Sequence, residues 1–134
     1  MSTIVAKVTS INSVENLNII DFDFNGESLS MMSLEIPNNI TIGSIVKLTC
    51  KASNIGIGKN LSGELSYSNR LTCKVESIDV GELLCALRLR LSENTIIESI
   101  ITKKSAFRMN LKKEDRLVAL IKASELSIQE VIND

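Results

Sequence analysis

The chain has 134 residues, of which 44% are hydrophobic and one is proline, and this composition predicts an ordered globular protein. The net charge is −1 and aromatic residues make up 3%, so the chain lacks the basic surface and the stacking rings on which nucleic-acid-binding proteins depend. No apolar stretch approaches the ~18 residues that a membrane-spanning helix needs, and the first residues do not resemble a signal peptide. We therefore expect a cytoplasmic protein that contacts neither membranes nor nucleic acid.

The chain contains an internal repeat. Lys51-Ala52-Ser53 recurs as Lys122-Ala123-Ser124, and each copy follows an apolar run. Further upstream, residues 7–11 match residues 74–78, so the copies are offset by 67 residues at their starts and by 71 at their ends. The repeat predicts two tandem units, residues 1–61 and 66–134, joined by a linker at 62–65. Any site carried by the unit is then expected in two versions.

Alternation of apolar and polar residues predicts strands in both units. In the first unit, an alternating run at residues 20–24 ends in Asn25-Gly26, a pair that favours a two-residue hairpin turn, and a strand follows at residues 28–32. In the second unit, the run at residues 85–91 reaches a turn at Glu93-Asn94, and a strand follows at residues 95–101. Each unit is therefore predicted to contain the same antiparallel hairpin.

The segments after these hairpins differ between the units. Residues 102–109 are compatible with a helix and Thr102 is a suitable N-cap, so one or two helical turns are predicted there. The first unit has Ile36-Pro37-Asn38-Asn39 instead, which favours a loop. Each unit then continues with a strand leading into Lys-Ala-Ser and with one more short strand, at residues 55–57 or 126–128. These elements predict an all-β fold with short helical turns, made of two tandem small β-barrels of the oligonucleotide-binding (OB) type.

The residue types disfavour catalysis and direct metal binding. The chain has no histidine, its serines have no evident activating partner, and no pair of carboxylates recurs in both units, so an enzyme is not expected. Cys50, Cys73 and Cys85 lie on the apolar side of alternating runs. We expect them to be buried core residues and not zinc ligands.

Hydrogen-bond donors gather at the predicted strand ends of the second unit. They are Ser66, Ser68, Asn69 and Arg70 before its first strand, Thr102 and Ser105 at the helical turn, and Lys122, Ala123 and Ser124 after its last long strand. A tetrahedral oxyanion such as molybdate or tungstate has two negative charges and no proton at neutral pH, so hydroxyls, main-chain N–H groups and a lysine suit it. Serine and lysine at strand ends are also commonly just solvated, and composition leaves both interpretations open.

Four segments of the second unit resemble the molybdenum-binding Mop module of the TOBE family, a family of transport-associated OB-type domains. They are residues 66–71 (Ser-Tyr-Ser-Asn-Arg-Leu), 101–105 (Ile-Thr-Lys-Lys-Ser), 111–115 (Leu-Lys-Lys-Glu-Asp) and 121–124 (Ile-Lys-Ala-Ser). The resemblance spans residues 66–130, and the first unit is similar more faintly, chiefly through its Lys-Ala-Ser segment. Two such units in one short chain are similar to tandem-Mop proteins, which bind molybdate or tungstate in the cytoplasm.

The resemblance also implies a set of site residues. In the family, a Ser-x-Arg-Asn segment, a Thr-x-x-Ser turn and a Lys-Ala strand end converge on the anion across subunit boundaries. The matching residues here are Ser66, Asn69, Thr102, Ser105, Lys122, Ala123 and Ser124, with Lys51, Ala52 and Ser53 in the first unit. Ser68 stands where the family has arginine, and Arg70, on the same strand face, would supply the missing charge.

The first unit departs further from the family pattern. It begins too close to Met1 to carry the opening segment, and Met31, Met32 and Leu34 occupy the region of the Thr-x-x-Ser turn. Fewer intact sites are therefore expected than in a symmetric tandem protein.

The function implied by the resemblance is binding of molybdate or tungstate for storage, homeostasis or delivery. The metal would be held only as its oxyanion, without a cofactor, between the subunits of a homo-oligomer that is a trimer in the family. The alternative is a TOBE module that has lost its ligand and binds a transporter ATPase or a transcription factor. A nucleic-acid-binding OB fold is a third hypothesis, disfavoured by charge and aromatic content. The sequence does not separate molybdate from tungstate, because the anions have nearly the same size and charge.

Overall fold

Residues 2–132, which the computed structural model describes, form two five-stranded antiparallel sheets. The strands of the first repeat are β1 (Ser2–Val14), β2 (Leu17–Phe24), β3 (Glu27–Ser33), β4 (Ile45–Cys50) and β5 (Gly56–Gly58). Those of the second repeat are β6 (Asn69–Val80), β7 (Leu84–Ser92), β8 (Thr95–Thr102), β9 (Arg116–Ile121) and β10 (Ser127–Val131). The helical elements are α1 (Lys103–Arg108) and the 3-10 turns Ala52–Asn54 and Ala123–Glu125. The predicted all-β fold with short helical turns is confirmed.

Both predicted hairpins are present. Asn25 and Gly26 have positive φ angles of 51° and 91°, the backbone conformation of the two-residue turn that matches the twist of a hairpin. β7 and β8 pair along their whole length. β1 and β6 each shift register against the following strand, after Val8 and after Val75. These two positions are equivalent under the repeat, so the strands bend at the same place in both copies.

The connections after the hairpins also follow the prediction. Thr102 is the N-cap of α1, and its Oγ1 accepts a hydrogen bond of 3.0 Å from the main-chain N–H of Ser105. In the first repeat, residues 34–44 contain no helix or strand. The single proline and the two asparagines of that segment account for the difference, because they favour turns over a helix.

The last strand of each repeat joins the sheet of the other repeat. The sheet orders are β10-β4-β1-β2-β3 and β5-β9-β6-β7-β8, so β5 pairs with β9 and β10 pairs with β4. The two short strands were predicted, one residue earlier than they begin, but their exchange was not. The division at residues 62–65 stays a prediction about the repeats in the sequence, because in space each sheet contains strands from both sides of it.

One continuous core runs through both repeats. The inward residues of the alternating strands are almost fully buried, among them Phe22, Leu48 and Leu89, and they belong to a single hydrophobic cluster. The three cysteines are free thiols in this core, as predicted. Desolvation raises the pKa of Cys50 and of Cys73 to about 11, so these thiols stay protonated at neutral pH.

Lys59, one residue after β5, fixes the far end of α1. Its Nζ donates to the carbonyl oxygens of Met109 and Asn110, each at 3.1 Å, and lies 3.3 Å from Oδ2 of Asp115. A hydrogen bond from the main-chain N–H of Lys112, and then the Lys59 ammonium, lower the pKa of Asp115. A residue of the first repeat therefore positions the helix of the second.

Candidate functional site

The two Lys-Ala-Ser segments have the same local structure. Each follows a strand and enters a 3-10 turn, with φ −69° and ψ 140° at Lys51 and φ −71° and ψ 146° at Lys122. In each turn the lysine carbonyl accepts a bond of 2.9 Å from the third residue on, which is Asn54 in one copy and Glu125 in the other. The first N–H groups of such a turn have no helical acceptor. Both segments thus present main-chain donors beside a lysine.

The two turns contact each other at the junction of the repeats. Nδ2 of Asn54 donates a hydrogen bond of 2.7 Å to Oε2 of Glu125. These residues occupy equivalent positions in the repeat, so the contact lies where the two copies face one another. The two candidate sites are therefore neighbours and not features of opposite ends of the molecule.

A cavity of about 550 Å³ opens beside the first segment. We call it the Lys51 cleft, and both repeats contribute to it. Its lining residues are Ser2 and Thr3 of β1, Lys51, Ala52 and Ser53 of the 3-10 turn, Arg88 of β7, and Ile96, Ile97, Glu98 and Ile100 of β8.

Two hydrogen bonds hold β8 against the first repeat at this cleft. The Oγ of Ser2 accepts from the main-chain N–H of Glu98 at 2.7 Å, and the buried hydroxyl of Ser99 donates to the carbonyl of Ile55. The hydroxyl of Ser2 thus caps a donor at the free edge of β8. These bonds join β8 to residues of the first repeat and so fix the wall of the cleft across the repeat boundary.

The charges of the Lys51 cleft are two cations and one anion. Lys51 and Arg88 are exposed, and within residues 2–132 neither forms an ion pair or a side-chain hydrogen bond. Glu98 lies directly opposite Arg88 in the pairing of β7 with β8. Donor side chains therefore outnumber acceptors in the Lys51 cleft, which also contains one carboxylate.

The second segment lies next to the start of β6. Asn69 pairs with Ile121 in the β6–β9 ladder, which places Asn69 and Arg70 beside Lys122. The turn Ala123–Glu125 packs against β3 of the first repeat. Ser66 and Ser68 are exposed in the segment before β6. Residues 69–70 and 122–124 therefore form a second group, which we call the Lys122 site.

The side chain of Asn69 is occupied by a contact within the chain. It is fully buried, its Oδ1 accepts from the main-chain N–H of Ser30 at 2.7 Å, and its Nδ2 donates to the carbonyl of Ser30 at 3.0 Å. The carboxamide thereby pairs with the free edge of β3, as Ser2 does with the edge of β8. Its role as an anion ligand stays a prediction, while its role in joining the repeats is a structural fact.

Thr102 and Ser105 lie away from both lysine segments within one chain. Thr102 pairs with Leu84, close to the last residue of β6, whereas Lys122 lies beside the first. Ser105 Oγ accepts a hydrogen bond of 3.1 Å from Arg108 Nη2. A separate, largely apolar cavity of about 560 Å³ adjoins this helix, lined by Glu82, Leu83, Leu84, Thr102, Lys103, Lys104 and Phe107. The predicted convergence of all three segments does not occur within a single chain.

Sequence reasoning missed Ser2, Thr3, Arg88 and Glu98. A signal for the first two was present, because the repeat places Ser2 and Thr3 at the positions of Asn69 and Arg70. Arg88 and Glu98 face each other in a hairpin that was predicted, but outward charged residues on a hairpin are usually only solvated. Nothing in the local sequence shows that a turn of the other repeat lies against them.

Comparison with known proteins gives a matching family and similar solved structures. Residues 65–128 match the TOBE domain family. The whole chain is similar to a crystal structure of the cytoplasmic molybdate-binding protein ModG with molybdate bound, with 26% sequence identity, a TM-score of 0.88, and coverage of 94% of this chain and 93% of that chain. No curated protein matches the chain significantly. Among residues 2–132, no helix has the length and hydrophobicity needed to cross a membrane.

The match to ModG also settles the fold class. Both sheets curl into half-barrels, as in the tandem OB-like fold of ModG. The prediction of two tandem OB-type units is therefore confirmed, with the exchange of β5 and β10 as the feature that sequence analysis did not anticipate.

Proposed function

Because the chain belongs to the TOBE family, in its Mop-type tandem form, we propose that it binds molybdate or tungstate at its two Lys-Ala-Ser segments. The observation that carries the proposal is the likeness to ModG, which has molybdate bound and matches 94% of this chain. The protein is then a binding protein and not an enzyme. We place it in the cytoplasm, where it would store, buffer or deliver the oxyanion.

The chemistry of the two segments supports this assignment. Each offers a lysine that forms no ion pair among the described residues 2–132, main-chain N–H groups at the start of a 3-10 turn, and a serine hydroxyl. Molybdate and tungstate carry no proton at neutral pH, so each of their oxygen atoms accepts hydrogen bonds and none donates. A group of donors with a positive charge satisfies such an anion.

The size of the Lys51 cleft supports a site that a second copy of the chain completes. On the measure that gives the cleft about 550 Å³, a water-sized atom needs roughly 10–15 Å³ and four oxygen atoms roughly 40–60 Å³. One chain therefore leaves the anion partly unenclosed. We propose that a neighbouring copy, in a homotrimer, closes the site and brings Thr102 and Ser105 toward Lys122, which they do not reach within one chain.

Binding and assembly can be measured together by native mass spectrometry of the full chain, with and without added molybdate or tungstate. We expect an oligomer that gains anions in whole-number steps. Equilibrium dialysis with metal analysis then gives affinities, with sulfate and phosphate as competitors. A chain that binds neither oxyanion at micromolar concentrations would overturn the proposal, and a monomer that binds them would overturn only the shared site.

The lysines provide the residue-level test. Lys51→Ala and Lys122→Ala should each weaken binding at one class of site by roughly 10- to 150-fold, because each removes a charged donor from the anion. Neither should alter the fold, since both side chains are exposed. Lys113→Ala is the matched control, an exposed lysine outside both sites. Equal binding by all three variants would refute the assignment of these residues.

A second candidate function has one observation in its favour. The apolar cavity beside α1 is walled by Leu83, Leu84 and Phe107, of which Leu83 is 80% and Phe107 64% exposed. A TOBE module that binds a transporter ATPase or a transcription factor would use such a surface. A partner retained equally with and without molybdate, by a chain that binds no anion, would favour this alternative.

A further inference from the structure

We propose that Arg88 is the guanidinium of the Lys51 cleft, supplied by the repeat opposite to the one that carries Lys51, and that Glu98 weakens this cleft for dianions. The inference rests on the proposed function and names the residues that set the strength of one of its two sites. Neither residue belongs to the segments that resemble the Mop module. Their relevance follows from where the fold places them.

Arg88 differs from Arg90, the next outward residue on the same strand. The Nε of Arg90 lies 2.8 Å from Glu76 Oε1, and its Nη1 donates to the carbonyls of Ser92 and Glu93. Arg90 thus contributes to the β6–β7 region and has few donors left. Arg88 makes no ion pair or hydrogen bond within residues 2–132, and it lines the Lys51 cleft. Its five donors are therefore available to a ligand.

Comparison of the repeats shows that the two sites have their arginines on different strands, Arg70 on β6 and Arg88 on β7. Thr3 and Arg70 are equivalent, because Thr3 pairs with Thr49 as Arg70 pairs with Leu120. The Lys122 site therefore has an arginine of its own repeat beside its lysine, whereas the Lys51 cleft has a threonine in that place. Arg88 lines the same cleft as Thr3. Arg88 on β7 therefore supplies the positive charge that Thr3 on β1 lacks.

In the first repeat, the position equivalent to Arg88 is occupied by an acidic residue, Asp21. The cross-strand pair Arg88 and Glu98 of β7 and β8 corresponds to the pair Asp21 and Ser30 of β2 and β3. Asp21 is engaged by hydroxyl groups, with Ser30 Oγ donating at 2.6 Å and Ser10 Oγ at 2.8 Å. The first repeat therefore has, at the position of Arg88, a carboxylate that is already hydrogen-bonded, while Arg88 forms no hydrogen bond within residues 2–132 and lines the Lys51 cleft.

The chemistry favours arginine over lysine at this place. A guanidinium presents parallel N–H groups that bond two oxygens of one oxyanion at once. Glu98, opposite Arg88, has the reverse effect, because its carboxylate competes for the guanidinium and repels a dianion. The Lys51 cleft should therefore bind the anion through Arg88 and bind it more tightly when the charge of Glu98 is removed.

The test uses a chain in which Lys122→Ala weakens the other site, so that the remaining strong binding reports on the Lys51 cleft. In that background, Arg88→Gln should lower the affinity for molybdate at least about tenfold. The affinity of Arg88→Lys should lie between that of Arg88→Gln and that of the Lys122→Ala chain. Glu98→Gln should raise the affinity, and Arg90→Gln should leave it unchanged. Affinities come from equilibrium dialysis, and the fold of each variant is checked by circular dichroism.

The outcomes separate this inference from the proposed function. An unsubstituted chain that binds no oxyanion would overturn both, whereas loss of all binding in the Lys122→Ala chain alone would overturn only this inference. If the Lys122→Ala chain binds molybdate and the added Arg88→Gln or Arg88→Lys substitution leaves that affinity unchanged, the role of Arg88 alone is overturned. If Arg88→Gln misfolds, Arg88→Lys keeps the charge and still decides, because unchanged binding by this variant would contradict a two-oxygen contact. A Glu98→Gln variant that binds more weakly would refute the repulsion assigned to Glu98.

Discussion

Replacing Asn69 with alanine should destabilise the fold strongly, although the sequence suggests a ligand residue. The side chain is fully buried and makes two hydrogen bonds, of 2.7 and 3.0 Å, to the main chain of Ser30. Each bond contributes about 1 kcal/mol, and each main-chain group left without a partner costs a further ~1 kcal/mol or more where water does not replace it. The sum is about 2 kcal/mol where water replaces the lost partner and about 4 kcal/mol where it does not, which corresponds to a fall of roughly 6 to 16 °C in Tm for a domain of this size.

Urea denaturation followed by circular dichroism measures this loss at one fixed protein concentration, because assembly makes stability depend on concentration. Ser2→Ala is the matched control. It removes the single hydrogen bond at the equivalent position, that of Glu98 N–H to Ser2 Oγ, and should cost about 1 kcal/mol. An Asn69→Ala variant no less stable than Ser2→Ala would refute the reasoning that the carboxamide joins the two repeats.

Two further predictions concern the interior and the helix. Lys59→Met should lower the free energy of unfolding and speed amide hydrogen exchange in α1. Part of this deficit should disappear as the pH falls below the ordinary aspartate pKa of 3.8, because the lowered pKa of Asp115 stabilises the fold fully above that value and loses this effect as the pH falls from there through the lowered pKa. Cys50 and Cys73, whose pKa values are raised from 9.0 to about 11, should resist thiol reagents in the native chain and react in denaturant. Their raised pKa values should also make stability fall as pH rises from 9 toward 11, and a flat profile would contradict their burial in the folded state.

The strands and turns could be predicted because their signals are local. Asn25-Gly26 needs only its own backbone preference to form a hairpin turn, and Thr102 needs only Ser105, three residues on, to cap a helix. The period-two pattern identified the buried faces of β2, β4, β6 and β7, including all three cysteines. Each of these features depends on neighbours within a few residues of the chain.

The exchange of β5 and β10 could not be predicted, because it depends on contacts between distant segments. A short strand such as Gly56–Gly58 pairs equally well, by sequence alone, with either of two nearly identical sheets. The same limit applies to the site. Lys51 and Lys122 were found because they recur, but Arg88 became a candidate only when the turn of the other repeat was seen beside it.

Both sites lie where the edge of a sheet is covered by side chains and not by another strand. The free edges of the two sheets include β3 and β8, and each is met by the first residue of a strand from the other repeat, Asn69 for β3 and Ser2 for β8. A complete ladder there would bring the backbones to about 4.8 Å and leave no room for a ligand. Contact through single side chains protects the edge and still leaves a gap, and at β8 that gap is the Lys51 cleft. The gap therefore forms only between the two repeats, since the edge and the residue that spans it come from different repeats.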